Sequence, residues 1–195
     1  MPTSHSNQIN KIVQIIRTVN PQKLLDIGMG FGKYGFLARE YLELWDGRER
    51  YNDWTRTIDG IEVFEDYVTG LQRLIYSQIL IGNAIDILPN LTEHYDLTLL
   101  IDVLEHFGKE DGIKLLKECI EHSDNILISV PNDIGNQGDA FDNIYETHRF
   151  QWESHHFVEI SKDLFFIKGK KSLIAYVGKN YYGVMAALRK AGIAA

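Results

Sequence analysis

Short apolar runs alternate with segments of helical spacing along most of this sequence, and that alternation limits the fold more than any other feature. Helical spacing covers residues 7–19, 33–44, 65–76 and 112–122. The strand-like runs that lie between these segments or follow them are KLLDIG, TIDGIEV, QILIGNA, DLTLLIDVL and NILISVP. Strands and helices that alternate in this way predict a mainly parallel sheet covered by helices on both faces. The sequence therefore predicts an α/β fold with a doubly wound, Rossmann-like sheet.

The last part of the chain departs from this alternation. Residues 163–179 hold two β-rich runs joined by Lys-Gly-Lys-Lys. A short polar connection between two strand-like runs predicts a β-hairpin. We expect its two antiparallel strands to lie at the edge of the sheet. Together with the five earlier runs, the hairpin predicts a seven-stranded, mostly parallel sheet with an antiparallel C-terminal hairpin strand.

The composition supports one domain. The chain has 195 residues, of which 45% are hydrophobic, and it shows no repeat and no linker rich in proline, glycine or serine. A chain of this length can build a single core. We expect one domain over residues 1–195. Its expected parts are an N-terminal helix (1–20), a ligand-binding core (21–130), an irregular segment (131–160) and a C-terminal hairpin with a helix (161–195).

The stretch LLDIGMGFGKYGFLARE, residues 24–40, ends the first strand with Asp26 and then places glycine at every second position, at Gly28, Gly30 and Gly32. In an open parallel sheet, ligands bind beyond the carboxyl ends of the strands, where this stretch lies. Glycine lets a ligand approach the backbone without meeting a Cβ atom. A dinucleotide fingerprint spaces its glycines as GxGxxG. Because Asp26 repels phosphate but can hold an ammonium group, the stretch favours a ligand with an amino-acid end and a nucleoside end.

An acid followed by GxGxG after the first strand resembles the first motif of the class I S-adenosylmethionine-dependent methyltransferases. The resemblance covers about residues 20–130 and implies S-adenosylmethionine as the cofactor. It implies that Glu62, after the second strand, accepts the ribose hydroxyls, and that Asn83 and Ala84, after the third, meet the adenine. Asp102 ends the fourth strand and joins this cofactor set. Two alternatives stay open, since Glu62 could be a surface acid and Asn83 could simply cap a turn.

The resemblance implies displacement at a sulfonium methyl, for which the protein holds the acceptor in line and excludes water. A base is needed only where the accepting group is protonated. His106, in the segment DVLEHF, is the best candidate because imidazole titrates near working pH. Its alternative role is to cap or pack the start of the next segment. We also assign a catalytic role to His148.

Residues 131–160, which we name the flap, are polar, aromatic and too long for a simple crossover. Loops of this size in compact domains are usually functional or disordered, and the aromatic content favours order. We expect the flap to bind the substrate through Asn132, Tyr145, Glu146, Arg149 and Trp152. Arg149 could bind a carboxylate or phosphate of the substrate, or it could form an ordinary surface ion pair.

The flap histidines raise the question of a metal. His148, His155 and His156 offer three imidazoles. Metal sites need convergent ligands, whereas adjacent residues at the start of a helix point in different directions. We therefore expect no metal site.

The net charge of −7 argues against a general nucleic-acid binder, which needs a concentrated basic surface. No run approaches the roughly 18 apolar residues of a membrane span, and the start of the chain does not resemble a signal peptide. The single cysteine, Cys119, fits a reducing compartment. We expect a cytoplasmic protein whose partner is a small molecule rather than a membrane or a nucleic acid.

The sequence as a whole favours methyl transfer from S-adenosylmethionine to an oxygen or nitrogen of a small molecule. One alternative is a nucleotide- or NAD-dependent oxidoreductase on the same kind of sheet, which the acid before the glycines disfavours. The other is a non-catalytic subunit that binds the cofactor and serves a catalytic partner.

Overall fold

A seven-stranded mixed sheet organises the computed structural model, which describes residues 4–50 and 53–193. In the sheet the strands follow the order β3-β2-β1-β4-β5-β7-β6. Strands β1 to β5 pair in parallel, and β7 pairs antiparallel with both β5 and β6. The strands are β1 (Lys23–Ile27), β2 (Thr57–Glu62), β3 (Gln78–Ile81), β4 (Leu97–Ile101), β5 (Asn125–Pro131), β6 (Leu164–Lys168) and β7 (Ser172–Gly178). This arrangement confirms the predicted sheet and its antiparallel C-terminal hairpin.

Helices cover both faces of the sheet. They are α1 (Ile9–Val19), α2 (Lys33–Glu43), α3 (Gly70–Ile75), α4 (Ala84–Ile87), α5 (Lys109–His122), α6 (Ser154–Ile160) and α7 (Tyr181–Lys190). One core cluster joins apolar residues of α1, α2, α3 and α7 to one face, and a second joins α4, α5 and α6 to the other. Burial on both faces explains why the central strands are almost continuously apolar. Within the described residues, no helix is both long and apolar enough to cross a membrane.

The segment predicted as one helix over residues 65–76 is divided. Residues Glu65–Tyr67 form a 3-10 turn, and α3 begins only at Gly70. Thr69 causes the break because its extended backbone and its hydroxyl, which accepts from the Leu71 amide, start a new helix there. Gln72 completes a capping box with Thr69.

The third strand ends earlier than its apolar run suggests. It stops at Ile81, and Gly82 has a φ of +143°, a conformation that favours glycine. Asn83 then caps the short helix α4 through its side-chain oxygen, which accepts from the Ile85 amide. A turn of this kind places Asn83 and Ala84 at the carboxyl edge of the sheet.

The strand order reverses direction between β1 and β4. The chain runs from β1 outward to β2 and β3, and then returns to the other side of β1 with β4 and β5. The two halves of the sheet diverge at this point, so their connections leave a crevice beyond the carboxyl ends of β1 and β4.

Candidate functional site

A cleft of about 290 Å³ lies beyond the carboxyl ends of strands β1 to β4. The loops after these strands form its floor, and the flap forms one wall. Seven of the eight residues predicted to hold the cofactor line it, namely Asp26, Gly28, Gly30, Glu62, Asn83, Ala84 and Asp102. The fold therefore brings residues from four different strand ends to one place.

The glycine loop after β1 forms one side of the cleft. Gly28 has a φ of +68°, and a Cβ atom there would lie 2.6 Å from Cγ2 of Val103. Gly30 has a φ of +50° and also faces the cleft. Gly32 is not part of the lining; it is the N-cap residue of α2 and has a φ of +83°. The first two glycines thus line the cleft, with Val103 packed against Gly28, and the third caps the helix.

Asp26 lies buried at the base of the cleft. Its carboxylate accepts a hydrogen bond from the Tyr76 hydroxyl at 2.6 Å. Burial raises the pKa of Asp26 to about 7, and the nearby charge of Glu62 adds to this increase, while the bonds from Tyr76 and the Gly35 amide oppose it. A cationic group of a ligand would favour the ionised form of Asp26.

Glu62 ends β2 and is also buried. One of its carboxylate oxygens accepts from the Gly30 amide at 2.9 Å, and the other accepts from the Phe64 amide at 3.0 Å. Burial raises the pKa of Glu62, and these backbone bonds oppose that effect. Each carboxylate oxygen has a second lone pair, so Glu62 can still accept two hydroxyl groups.

Asp102 follows β4 with a φ of +56°. Its two carboxylate oxygens accept from the Gln8 amide at 2.8 Å and from the Ser129 hydroxyl at 2.9 Å. Burial raises the pKa of Asp102, although both bonds oppose the increase. The N-terminal segment therefore takes part in the site, since it supplies Gln8.

The two histidines proposed as catalytic lie close together at the edge of the cleft. Their ring centroids are 5.0 Å apart. His106 lines the cleft, whereas His148 lines an adjoining cavity that shares His106 and Asp102 with it. Burial lowers the pKa of His106, and the bond to the Thr147 carbonyl opposes the shift.

The flap contributes to the cleft through part of its length. Tyr145, Glu146 and Arg149 line the cleft, as the sequence predicts for substrate contacts. Asn132 lies outside it, because its amide donates to the Gly169 carbonyl in the β6–β7 turn. Trp152 also lies outside: it is 1% exposed, donates its indole N–H to the Leu104 carbonyl and packs against Phe157. Trp152 fixes the flap to the core rather than facing a ligand.

Several cleft residues were not found from the sequence. The Lys33 ammonium donates to the Ser4 carbonyl at 2.7 Å, and the Tyr67 hydroxyl donates to Glu146 at 3.0 Å. Both Lys33 and Tyr67 line the cleft. Lys33 directly follows the glycine loop, and this position in the sequence could have indicated that it lines the cleft. The place of Tyr67 depends on the break before α3, which cannot be seen from the helical spacing.

No family model matches the sequence, and no curated protein matches it. Solved structures do match. A SAM-dependent methyltransferase from Archaeoglobus fulgidus aligns with a TM-score of 0.59 and 16% identity, over 80% of this chain and 86% of that chain. The chain has the fold of the class I methyltransferases. The N-terminal domain of EvdMO1, solved with SAH (S-adenosylhomocysteine) and D-fucose, shares this fold with a TM-score of 0.60 and 12% identity, over 90% of this chain and 84% of that one.

A third structure with the methyltransferase fold is PigF with SAH. It aligns with a TM-score of 0.54 and 16% identity, over 82% of this chain and 50% of PigF. The chain thus spans half the length of PigF. At these identities the similarity is one of fold, and the chemistry has to be argued from the cleft itself.

Proposed function

We propose that this chain transfers a methyl group from S-adenosylmethionine to an oxygen or nitrogen of a small-molecule acceptor. The observation that carries the proposal is the convergence of Asp26, Glu62, Asn83 and Asp102, from four strand ends, on one cleft. The flap residues Tyr145, Glu146 and Arg149 line the same cleft. The flap could therefore hold an acceptor in the same cleft as a cofactor bound by the first group.

The residues of the cleft fit S-adenosylmethionine. Gly28 and Gly30 line the cleft with positive φ angles, and glycine at these positions lets a ligand approach the backbone. Asp26 suits the amino-acid end of the cofactor, and Glu62 has lone pairs for the ribose hydroxyls. Three carboxyl groups in the cleft, those of the buried Asp26 and Glu62 and the half-buried Asp102, disfavour the pyrophosphate of a dinucleotide.

When bound, the cofactor supplies a methyl group made electrophilic by a sulfonium. The chain's own residues have to orient the acceptor and exclude water. Tyr145, Glu146 and Arg149 are the side chains that would hold the acceptor, and Tyr67 fixes Glu146 from the side of β2. His106 faces the cleft and would accept a proton from an acceptor that carries one.

Isothermal titration of the full chain with SAH, and with NAD in a parallel cell, tests the cofactor. We expect micromolar binding of SAH, on the order of −8 kcal/mol, and no binding of NAD. Binding of NAD alone would favour the oxidoreductase alternative. The acceptor is then sought by following methyl transfer to small molecules with hydroxyl or amino groups. Turnover by the purified chain would exclude the non-catalytic subunit.

A further inference from the structure

Three side chains with metal-binding atoms meet beside the cleft. The ligand atoms of Glu105, His106 and His148 all lie within 4.8 Å of one another. Bonds to a metal ion are about 2.0–2.2 Å long, so the three ligand atoms would have to move somewhat closer together to share one ion. Small rotations of the side chains achieve this. We propose that Glu105, His106 and His148 bind one divalent transition-metal ion.

The hydrogen bonds of the two histidines leave the correct nitrogen atoms available. Nδ1 of His106 lies 3.3 Å from the Thr147 carbonyl, and Nδ1 of His148 lies 2.5 Å from the Ile134 carbonyl. A carbonyl oxygen can only accept, so each Nδ1 carries the proton. Each Nε2 atom therefore has a free lone pair. Histidines that bind metals are usually oriented by a bond of this kind from the other ring nitrogen.

Glu105 gives an independent reason to place a cation here. The residue is 2% exposed, and its Oε2 atom has no hydrogen-bond partner among the described residues. An unpaired carboxylate oxygen is costly to bury, whereas a bound cation compensates it directly. The backbone around Glu105 is fixed, because its carbonyl accepts from the Arg149 amide at 2.7 Å.

A route to this cluster exists from solvent. The three side chains line a cavity of about 380 Å³, which also contains Asp102 and Gln137. Two imidazoles and one carboxylate suit Zn²⁺, Co²⁺ or Mn²⁺, whereas Mg²⁺ and Ca²⁺ prefer oxygen ligands only. Three protein ligands leave coordination positions open.

The open positions give the ion a role, and this role rests on the proposed methyl transfer. Asp102 and His106 border both the cavity and the cleft, so an ion bound here stands next to the acceptor. An acceptor oxygen that coordinates the ion is held in place. Because the Nε2 lone pair of His106 binds either a proton or the ion, this role replaces proton acceptance by His106.

Titration of the full chain with Co²⁺, after treatment with a chelator, tests the site by visible absorption and by calorimetry. We expect one equivalent of Co²⁺ to bind with micromolar affinity, and an equal concentration of Mg²⁺ not to displace it. Glu105→Gln and His148→Ala should each weaken Co²⁺ binding on the order of 100-fold. Circular dichroism checks that both variants are folded.

His155→Ala is the matched control, because His155 is an exposed flap histidine outside the cluster. It should bind Co²⁺ as the parent does. Absence of Co²⁺ binding by the parent, or unchanged binding by Glu105→Gln and His148→Ala, would overturn the proposal and leave Glu105 as a buried neutral acid. SAH titration of the metal-free chain separates the metal site from the proposed cofactor site. If SAH binds and Co²⁺ does not, only the metal site is rejected. If Co²⁺ binds and SAH does not, only the proposed cofactor is rejected.

Discussion

Glu62 joins the loops after β1 and β2, since its carboxylate accepts from the Gly30 amide and the Phe64 amide while the residue lines the cleft. Glu62→Gln removes the charge and turns an amide N–H₂ group toward one of these donors. Bonds to charged groups contribute about 1.5–3 kcal/mol each. We therefore expect SAH to bind on the order of 10- to 100-fold more weakly, as measured by isothermal titration.

Glu93→Gln provides the control for this variant. Glu93 is a surface acid that pairs with Lys23 far from the cleft. Its substitution should leave SAH affinity unchanged. Equal affinity for the parent and for Glu62→Gln would remove Glu62 from the cofactor site.

Individual residues differ in how far the sequence could predict them. The places of Glu62 and Asp102 in the cleft could be predicted, because the ends of parallel strands meet at one edge of a sheet. Trp152 was wrongly placed in the flap's binding surface by aromatic content alone, which does not distinguish a core anchor from a ligand contact. The meeting of Glu105 with His148 depends on the path of the flap, and no local pattern encodes that path.

At the scale of elements, the end of α2 is joined to the segment before β2 by a buried ion pair. Glu43 is fully buried and contacts the Arg39 guanidinium at 2.5 Å, and it accepts from the Thr55 and Arg56 amides at 2.7 and 3.0 Å. Burial opposes ionisation of Glu43, but these bonds prevail and hold its pKa below the usual value. Glu43→Ala leaves the buried Arg39 guanidinium without an opposite charge and should lower the free energy of unfolding by about 3–5 kcal/mol.

Urea unfolding measures this loss, with Asp46→Ala as the control. Asp46 also pairs with a guanidinium, that of Arg48, but it is more than a third exposed. Exposed pairs contribute about 1 kcal/mol or less, so Asp46→Ala should have a small effect. Similar losses in the two variants would show that the buried network does not stabilise this junction.

Helix boundaries were the least predictable feature of the elements. Periodicity correctly located α1, α2 and α5, because each buries one apolar face over several turns. It missed the break before α3, which depends on the side-chain bonds of Thr69 and Gln72. Capping bonds of this kind change the backbone conformation at a single residue. The hydrophobic periodicity of a helix is read over several turns, so it does not show such a change.

The whole molecule was more predictable than its parts. Alternating strands and helices permit few arrangements, because parallel strands need right-handed crossovers and helices on both faces. The position of the cleft follows from the same constraint, since it lies where β1 and β4 diverge. The consequence for stability is that a mainly apolar sheet has carboxyl groups buried at one edge, among them Asp26 and Glu62.

Because Asp26 is one of these buried carboxyl groups, the free energy of unfolding should depend on pH. Its pKa is about 7 in the folded protein and near 3.8 in the unfolded chain, so the folded state binds the proton more tightly. The stability that Asp26 contributes is therefore complete below about pH 4 and is lost as the pH rises through about 7. The loss amounts to about 1.4 kcal/mol per pH unit within this window.

Asp26→Asn isolates this effect, because asparagine stays neutral at every pH and can still accept from the Tyr76 hydroxyl. Other groups that titrate in the window, including Glu62 and His106, are common to both proteins. We expect the free energy of unfolding of the parent, relative to the variant, to fall by about 2 kcal/mol or more between pH 5 and pH 7. Urea unfolding at both pH values measures it, and a constant difference would mean that Asp26 is ionised throughout and that a cation or solvent reaches it in the free protein.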